Sequence, residues 1–506
     1  MPRKDKIIML LFGAVLLTLL LQGITAWREN GIAVCTAPSN QDNVAICPDG
    51  QGGSFIAWID RRNGTEDIFM QRLSPEGGIL WSLNGINVSR GGSGIPDYNV
   101  RMVKASGDGV IIAWTRDGGT GADIYAQKVS NTGVTYWATN GVPACTSTAN
   151  QDLACLCSDG AGGAIIAWRD LRNGNYDIYA QRVNASGFLR WNAGGIPVCT
   201  AAGNQLDPVI CSDGAGGAII AWDDSRGNND VYAQRLNASG FLQWDMDGVP
   251  ACNIPTSSQQ NPQLCSDGAG GAIIAWEDMR VDGDGDIYAQ RLLPSGVPAW
   301  TANGTAICTV PGAQIGATIV ASESGGAFIA WEDQRDALHN VAYIQHISGP
   351  GAVQWAANGI PLSHGQHNCY QVRVCSDGQG GAFATWGDDP GIGPAHDDIY
   401  AQRIGPTGTI EWETNGRCIC CADDMQNGLA IICVNPGRAI IAWEDYRSGT
   451  NWDIYAQQVE IVPQDDWTLT IVLVVVAIAV GAAAVMLFWL YKKGKLKLPR
   501  RPAPPK

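Results

Sequence analysis

The sequence is poor in positive charge and in histidine. It contains five histidines in 506 residues, and charged residues make up 16% of the chain. Between residues 27 and 470, lysine occurs only at Lys104 and Lys128. The formal net charge is −15, and the central region is more acidic still because both chain ends are basic. Such a surface repels nucleic acid, and it favours cations, basic partners or simply solubility.

Motifs that would assign a reaction are also missing. The sequence has no nucleophile elbow, no phosphate-binding loop and no zinc-protease helix, and each of these motifs is needed by a large class of enzymes. We therefore predict no catalytic residues from motifs.

The chain is instead rich in glycine and tryptophan, which recur in a repeat. Ser266–Arg280 reads SDGAGGAIIAWEDMR, and Asp286–Leu292 reads DIYAQRL. Two series of tryptophans, the first spaced by 53 to 57 residues, each give eight copies: Trp27, Trp81, Trp137, Trp191, Trp244, Trp300, Trp355 and Trp412, then Trp58, Trp114, Trp168, Trp222, Trp276, Trp331, Trp386 and Trp443. This period indicates a solenoid, a propeller or an array.

Each repeat has the pattern of about four strands. Ala272–Trp276 is a short apolar run between glycine-rich turns, and Asp286–Leu292 alternates apolar and polar residues. The first repeat begins at Trp27 without its opening strands, and the last, which ends at Gln458, lacks the closing strand. We predict an all-β fold, an eight-bladed β-propeller over residues 27–460, closed by an N-terminal strand that removes the exposed sheet edge.

The chain ends predict export and a membrane anchor. Residues 1–26 have a basic start, an apolar run and small residues before Trp27, which is typical of a signal peptide; an uncleaved anchor is the alternative. After a linker at 461–470, residues 471–490 are apolar and long enough for a transmembrane helix, and the tail at 491–506 is basic. We expect a single-pass protein of the cell membrane, with the repeats outside and the tail in the cytoplasm.

Sixteen cysteines agree with an oxidising compartment. One recurring cysteine follows the first tryptophan of the repeat by eight residues, and another precedes the second tryptophan, usually by eleven. Their joint presence predicts five short-loop disulfides: Cys35 with Cys47, Cys145 with Cys157, Cys199 with Cys211, Cys252 with Cys265, and Cys420 with Cys433. The alternative is that some of these cysteines are buried small apolar residues.

An aspartate follows the second tryptophan by two residues in seven repeats, and an arginine usually follows two residues later. These pairs fit hydrogen bonds that fix hairpins better than ligand sites, because catalytic sites are seldom built in many equivalent copies.

Two stretches have ligand types suited to metals. Asp282, Asp284 and Asp286 resemble a calcium loop without its closing glutamate, which makes calcium the candidate cofactor. All five histidines lie in repeats six and seven, and His364 and His367 could bind a transition metal, although their spacing matches no known motif. A solvated loop is the alternative in each case.

Five sequons predict glycosylation or simply turns: Asn63, Asn87, Asn184, Asn237 and Asn303.

The hairpin Ile178–Trp191 resembles the repeat of quinoprotein-like eight-bladed propellers, and the repeats as a whole look like glycine-rich propellers of bacterial and archaeal surface proteins. The resemblance implies the architecture only, since no quinone or metal ligand carries over. Fold alone does not define function.

We expect a binding, adhesion or interaction scaffold whose partner is an extracellular protein or glycan. The alternatives are a carbohydrate-active hydrolase or lyase, in which His364, His367 or Asp398 would be essential, and a structural spacer of the cell surface.

Overall fold

Short β-branched runs between glycine-rich turns form 32 strands in the protein, for which we describe a computed structural model. The structure describes residues 27–461, except 90–93, 120, 336–337 and 392–396, together with Lys493. Within these residues no helix is long and apolar enough to cross a bilayer. The predicted signal peptide and transmembrane segment lie outside the described residues.

The strands form eight four-stranded antiparallel sheets, the blades, each built from consecutive hairpins. The innermost strands are β2 (Gln41–Pro48), β6 (Asp97–Lys104), β10 (Gln151–Ser158), β14 (Gln205–Ser212), β18 (Gln259–Ser266), β22 (Gln314–Ala321), β26 (Asn368–Ser376) and β30 (Gln426–Asn435). The second strands are β3 (Ser54–Asp60), β7 (Val110–Asp117), β11 (Ala164–Asp170), β15 (Ala218–Asp224), β19 (Ala272–Asp278), β23 (Ala327–Asp333), β27 (Ala382–Asp389) and β31 (Arg438–Asp445).

The third strands carry the DIYAQRL pattern. They are β4 (Asp67–Leu73), β8 (Ala122–Val129), β12 (Asp177–Val183), β16 (Asp230–Leu236), β20 (Asp286–Leu292), β24 (Val341–Ile347), β28 (Asp398–Ile404) and β32 (Asp453–Glu460). The outermost strands are short: β5 (Ile86–Asn87), β9 (Val142–Cys145), β13 (Ile196–Cys199), β17 (Val249–Cys252), β21 (Thr305–Cys308), β25 (Ile360–Pro361), β29 (Arg417–Cys420) and, for the eighth blade, β1 (Ile32–Cys35).

The ring is closed, as predicted, by the N-terminal strand. β1 pairs antiparallel with β32, with Ile32 opposite Ala456, and so supplies the outer strand of blade eight. Each innermost strand contacts the next around the ring, and β30 contacts β2. The prediction of an all-β eight-bladed propeller is therefore confirmed.

The two tryptophan series have different roles. The second series fills the blades, and its eight members are completely buried. Tryptophans of the first series join neighbouring blades: the Nε1 of Trp137 donates to the carbonyl oxygen of Ala185 at 3.1 Å, and Trp27 donates in the same way to Pro75 at 3.0 Å. Gly187, at φ 83°, packs so closely on Trp137 that a side chain there would clash.

The two ends of the ring carry different loops. We call the end with the loops between second and third strands, such as 61–66, the upper face. The lower face carries the loops between innermost and second strands, such as 49–53. Loops on a rigid scaffold are where binding residues are most often found, so departures from the repeat at either face are candidates for function.

Candidate functional site

The recurring Asp and Arg residues form a buried cluster at the upper face, here called the upper clasp. In blade one the Nε1 of Trp58 donates to the Oδ2 of Asp60 at 2.8 Å, and the Nε of Arg62 donates to its Oδ1 at 2.8 Å. Arg62 also donates to the Sγ of Cys35 at 3.0 Å. Asp60 is fully buried, so its carboxylate is satisfied inside the protein.

Six blades repeat this arrangement. The sets are Trp58, Asp60, Arg62 and Cys35; Trp168, Asp170, Arg172 and Cys145; Trp222, Asp224, Arg226 and Cys199; Trp276, Asp278, Arg280 and Cys252; Trp331, Asp333, Arg335 and Cys308; Trp443, Asp445, Arg447 and Cys420. The structural interpretation of the repeated aspartates is confirmed, since their oxygens are occupied by donors from their own blade.

Blade two builds the same cluster by exchanging positions. Arg116 stands where the other blades have aspartate, and Asp97 from the innermost strand supplies the carboxylate. The Nε1 of Trp114 donates to Asp97 at 2.9 Å, and the Nε of Arg116 donates to it at 2.7 Å. Ser89 takes the place of the cysteine. The hydrogen bonds from tryptophan and arginine to aspartate are kept, although the aspartate comes from a different strand.

Blade seven is the exception. Pro390 occupies the position of the arginine, so Asp388 has no guanidinium partner from its own hairpin. The buried Nε1 of Trp386 has no hydrogen-bond partner among the described residues. The Nδ1 of His367 instead lies 2.5 Å from the Oδ2 of Asp388. An unsatisfied buried donor is costly, which distinguishes blade seven from blades in which the tryptophan is paired.

A small polar pocket opens beside this altered clasp. It has a volume of about 60 Å³ and is lined by Ser363, His364, Gly365, Gln366, His367, Asp388, Tyr400 and Asn415. A cavity of about 150 Å³ holds one benzene molecule, so this pocket is too small for a whole sugar ring. It can accommodate a hydroxyl or hydroxymethyl group of a larger ligand.

Tyr400 gives the pocket an open aromatic surface. In the other seven blades the equivalent ring is covered by the arginine of the upper clasp, for example Tyr179 by Arg172 at 4.0 Å. No guanidinium covers Tyr400 in the described structure. Burial, followed by the charges of Asp398 and Asp388, raises the pKa of Tyr400, so the phenol remains a hydrogen-bond donor at neutral pH.

The surroundings of the pocket are acidic and its thiol is inert. Burial raises the pKa of Asp397, which hydrogen-bonds to Tyr370. Cys369 lies behind the pocket, with its Sγ 3.0 Å from the Oγ of Ser363. Burial raises the pKa of Cys369 to about 12, so this thiol is protonated and is not a nucleophile.

A disulfide adjoins the pocket. Cys418 and Cys421 are bonded to each other, and the sulfur of Cys421 lies 3.8 Å from the hydroxyl of Tyr400. Neither cysteine belongs to the five disulfides predicted from the sequence. Their link fixes the end of β29 next to the pocket wall.

Histidine also replaces arginine at the lower face. Five blades have a second ion pair there: Asp49 with Arg72, Asp159 with Arg182, Asp213 with Arg235, Asp267 with Arg291, and Asp377 with Arg403. In blade six the Nε2 of His346 lies 3.1 Å from the Oγ of Ser322. Burial lowers the pKa of His346. Two of the five histidines, His346 and His367, thus lie where other blades place an arginine of a repeated cluster.

The predicted metal ligands lie in two groups at the upper face and differ in their exposure. Asp282 and Asp284 are exposed, whereas Asp286 begins β20 and is buried. Burial, with a contribution from Asp282, raises the pKa of Asp286 to about 6. His364 and His367 share the pocket described above. Among the described residues no three His, Cys, Asp or Glu side chains form a group that could hold a metal ion.

The five predicted disulfides are not formed in this structure, in which Cys35, Cys47, Cys145, Cys157, Cys199, Cys211, Cys252, Cys265, Cys420 and Cys433 are free thiols. The first cysteine of each pair lies on an outermost strand and the second on the innermost strand of the next blade. The chain between them crosses from the perimeter of the ring to its axis, so closeness in sequence does not bring the two sulfurs together.

The sequons lie in turns or strands. Asn184 accepts backbone bonds from Ser186 and Phe188, which fixes its turn, and Asn237 has the same role in blade four. Asn63 and Asn87 both donate to Asp67. Asn303 is exposed. Glycosylation at these sites stays a prediction.

The fold and the site together define an eight-bladed β-propeller with one open upper clasp. No protein-family model matches the chain, and no curated protein matches its sequence. Solved structures similar to it include the BP39L lectin from Burkholderia pseudomallei, with TM-score 0.48, 9% identity, and coverage of 75% of this chain and 98% of the lectin.

Two further structures are similar over most of the ring. A PL25 polysaccharide lyase, an ulvan lyase, has TM-score 0.46 and 9% identity, with 74% of this chain and 95% of the lyase covered. A protein of unknown function from Dyadobacter fermentans has TM-score 0.41 and 11% identity, with 86% of this chain and 99% of the other covered.

Proposed function

We propose that this protein is a membrane-anchored extracellular binding protein whose ligand site is the blade-seven pocket, and that the ligand is a neutral glycan. The observation that carries the proposal is the comparison among blades. Seven blades satisfy their second-series tryptophan with a buried carboxylate, and only blade seven leaves it unpaired beside an open cavity. The bond between tryptophan and carboxylate stabilises the other seven blades, and it is absent from blade seven.

The pocket's chemistry favours hydroxyl groups. Its imidazole, amide, phenol and carboxylate groups can donate to and accept from hydroxyls. The ring face of Tyr400 can pack against the C–H face of a sugar. Asp388, Asp397 and Asp398 make the surroundings acidic, which disfavours a polyanionic ligand. These features support a neutral sugar that inserts one hydroxyl or hydroxymethyl group.

The position of the pocket supports an exposed binding role. The described chain begins near Trp27 and leaves β32 at the lower face, where Gln457 donates to the carbonyl of Arg28. The pocket lies at the upper face, opposite the face at which the described residues 27–461 begin and end.

The full-length protein in detergent should be screened against neutral and acidic glycans, and the affinity of any hit measured by calorimetry. We expect His367→Gln and Asp388→Asn each to weaken binding at least about tenfold, since each removes a charge-assisted hydrogen bond. Asp284→Asn, which removes an exposed charge from the upper face of blade five, is the matched control. Equal affinities in all four proteins would exclude this pocket as the binding site.

A second candidate function is a carbohydrate-active hydrolase or lyase. The contact between His367 and Asp388 favours it, because a carboxylate that orients an imidazole is a common arrangement for a general base. Tyr400 lies in the same pocket and could donate a proton. Release of shorter or unsaturated products from the bound glycan, abolished in His367→Gln, would establish catalysis over binding.

A further inference from the structure

Two arginines lie at equivalent positions on innermost strands and reach the axis of the ring. Arg101 on β6 is opposite Ala113, and Arg373 on β26 is opposite Thr385. We call the eight equivalent positions the axial ring: Ala45, Arg101, Cys155, Val209, Gln263, Thr318, Arg373 and Ala430. Its only charged members are these two arginines.

Within the described part of the chain, neither guanidinium group forms an ion pair with a carboxylate. Each donates to a carbonyl of its own strand, Arg101 to Val100 at 2.9 Å and Arg373 to Val372 at 3.1 Å. The arginines of both repeated clusters, by contrast, pair with aspartates. Two cations are therefore left incompletely paired in a protein that has an excess of carboxylates.

The two charges act on each other across the axis. Burial among protein atoms lowers the pKa of Arg101 and of Arg373, and repulsion from Arg101 lowers the pKa of Arg373 further. Arg101 is nevertheless exposed to solvent, whereas Arg373 is half-buried. Screening is weaker at Arg373, so this guanidinium gains more from an anion than one in bulk water.

The nearest carboxyl groups do not neutralise the pair. The Oε1 of Glu332 acts on Arg373 at longer range but accepts a 2.7 Å bond from the backbone N–H of Gln371. Burial raises the pKa of Glu332. It also raises to about 8 the pKa of Asp223, which lies opposite Leu206 of the innermost strand β14, so the Asp223 carboxyl is largely protonated at neutral pH.

We propose that the axial ring binds an oxyanion, a carboxylate or a sulfate group, between Arg101 and Arg373. Planar guanidiniums offer paired donors to such groups. The six other positions carry no charge that would compete with the ligand. This site is on the axis and is independent of the blade-seven pocket, so either can exist without the other.

The test is thermal unfolding and calorimetric titration of the full-length protein with sodium sulfate and with sodium glucuronate, against sodium chloride at matched ionic strength. We expect a saturable stabilisation of the wild type, and an apparent dissociation constant about tenfold higher in Arg101→Gln and in Arg373→Gln. The two oxyanions separate a sulfate ligand from a carboxylate ligand. Arg190→Gln, which removes an exposed charge from blade three, is the control.

The unliganded variants give a second readout. Either Gln variant should unfold at no lower temperature than the wild type in chloride, because it removes the repulsion between the arginines. Sulfate also stabilises proteins by exclusion from their surfaces. Equal shifts in the wild type and both Gln variants would show only that effect and would overturn the proposal, as would the lack of any shift beyond chloride.

Discussion

The imidazole of His367 lies beside Asp388 in the place where Arg172 lies beside Asp170. The Nδ1 of His367 is 2.5 Å from the Asp388 carboxylate, and the Nε of Arg172 is 2.8 Å from that of Asp170. The histidine comes from the connection between blades, whereas the arginine comes from the same hairpin as its aspartate. This change of donor leaves Trp386 unpaired and opens the pocket.

The two aspartates therefore permit a matched comparison of stability. Asp170→Asn leaves the Arg172 guanidinium without its charge partner, and loss of one member of a buried pair costs about 3–5 kcal/mol of the free energy of unfolding. Asp388→Asn removes a partner only from the half-buried His367, and we expect a cost below about 1 kcal/mol. Chemical denaturation measures both. Equal losses would mean that the blade-seven clasp is as tightly built as the others.

The fold could be predicted from the sequence because it rests on repeated residues. The second-series tryptophans fix the number of blades, and the missing partner of the last repeat indicates closure by the strand at Ile32–Cys35. The candidate site could be predicted only in part. His364 and His367 stand out in the sequence because the histidines are confined to repeats six and seven. Pro390 lies four residues after Trp386, where six other repeats have the arginine of the upper clasp.

The rest of the site depends on contacts between distant segments. The spacing of His367 and Asp388 does not indicate that the two side chains meet, because the innermost strand β26 separates them in the sequence. The contact between Asp97 and Arg116 in blade two could not be predicted for the same reason, since these residues lie on different strands. The ten cysteines of the predicted pairs are thiols in this structure. The repeat aligns their positions in sequence but does not show that one lies on an outermost strand and the other on an innermost strand.

Restoring the arginine should close the pocket. Pro390→Arg supplies a guanidinium that can reach Asp388 and cover Tyr400, as Arg172 covers Tyr179. We expect glycan binding to be lost and the free energy of unfolding to rise by about 1 kcal/mol, the usual net value of one added hydrogen bond. Calorimetry and denaturation measure the two effects. Pro390→Gln, which removes the proline without adding charge, is the control, and unchanged binding in Pro390→Arg would place the site elsewhere.

The buried carboxyl groups near the axis should make the protein less stable as the pH rises. Burial raises the pKa of Asp223 to about 8 and that of Glu444 to about 7. Because these folded-state values exceed the unfolded ones, the native state holds more protons, and stability is lost as the pH rises towards the folded pKa. Each carboxyl contributes about 1.4 kcal/mol per pH unit between its unfolded and folded pKa values, so we expect a fall of roughly 3 kcal/mol per pH unit from pH 5 to pH 7 and about half that from pH 7 to pH 8. Asp223→Asn should reduce this slope, whereas Asp284→Asn, which changes an exposed carboxyl, should not.

The cysteines give a chemical test of the ring. The structure bonds Cys418 to Cys421 and leaves the other fourteen of its sixteen cysteines as thiols. Burial raises the pKa of thiols on both outermost and innermost strands, such as Cys35 and Cys47, to about 12. Since the thiolate is the form that reacts, these cysteines should resist alkylation in the native protein and react on unfolding. Alkylation in denaturant without reductant, followed by mass spectrometry, should therefore label fourteen cysteines. Labelling of only four would instead match the five disulfides predicted from the repeat together with the Cys418–Cys421 bond. That outcome would require the outermost and innermost strands of neighbouring blades to lie closer than this fold places them.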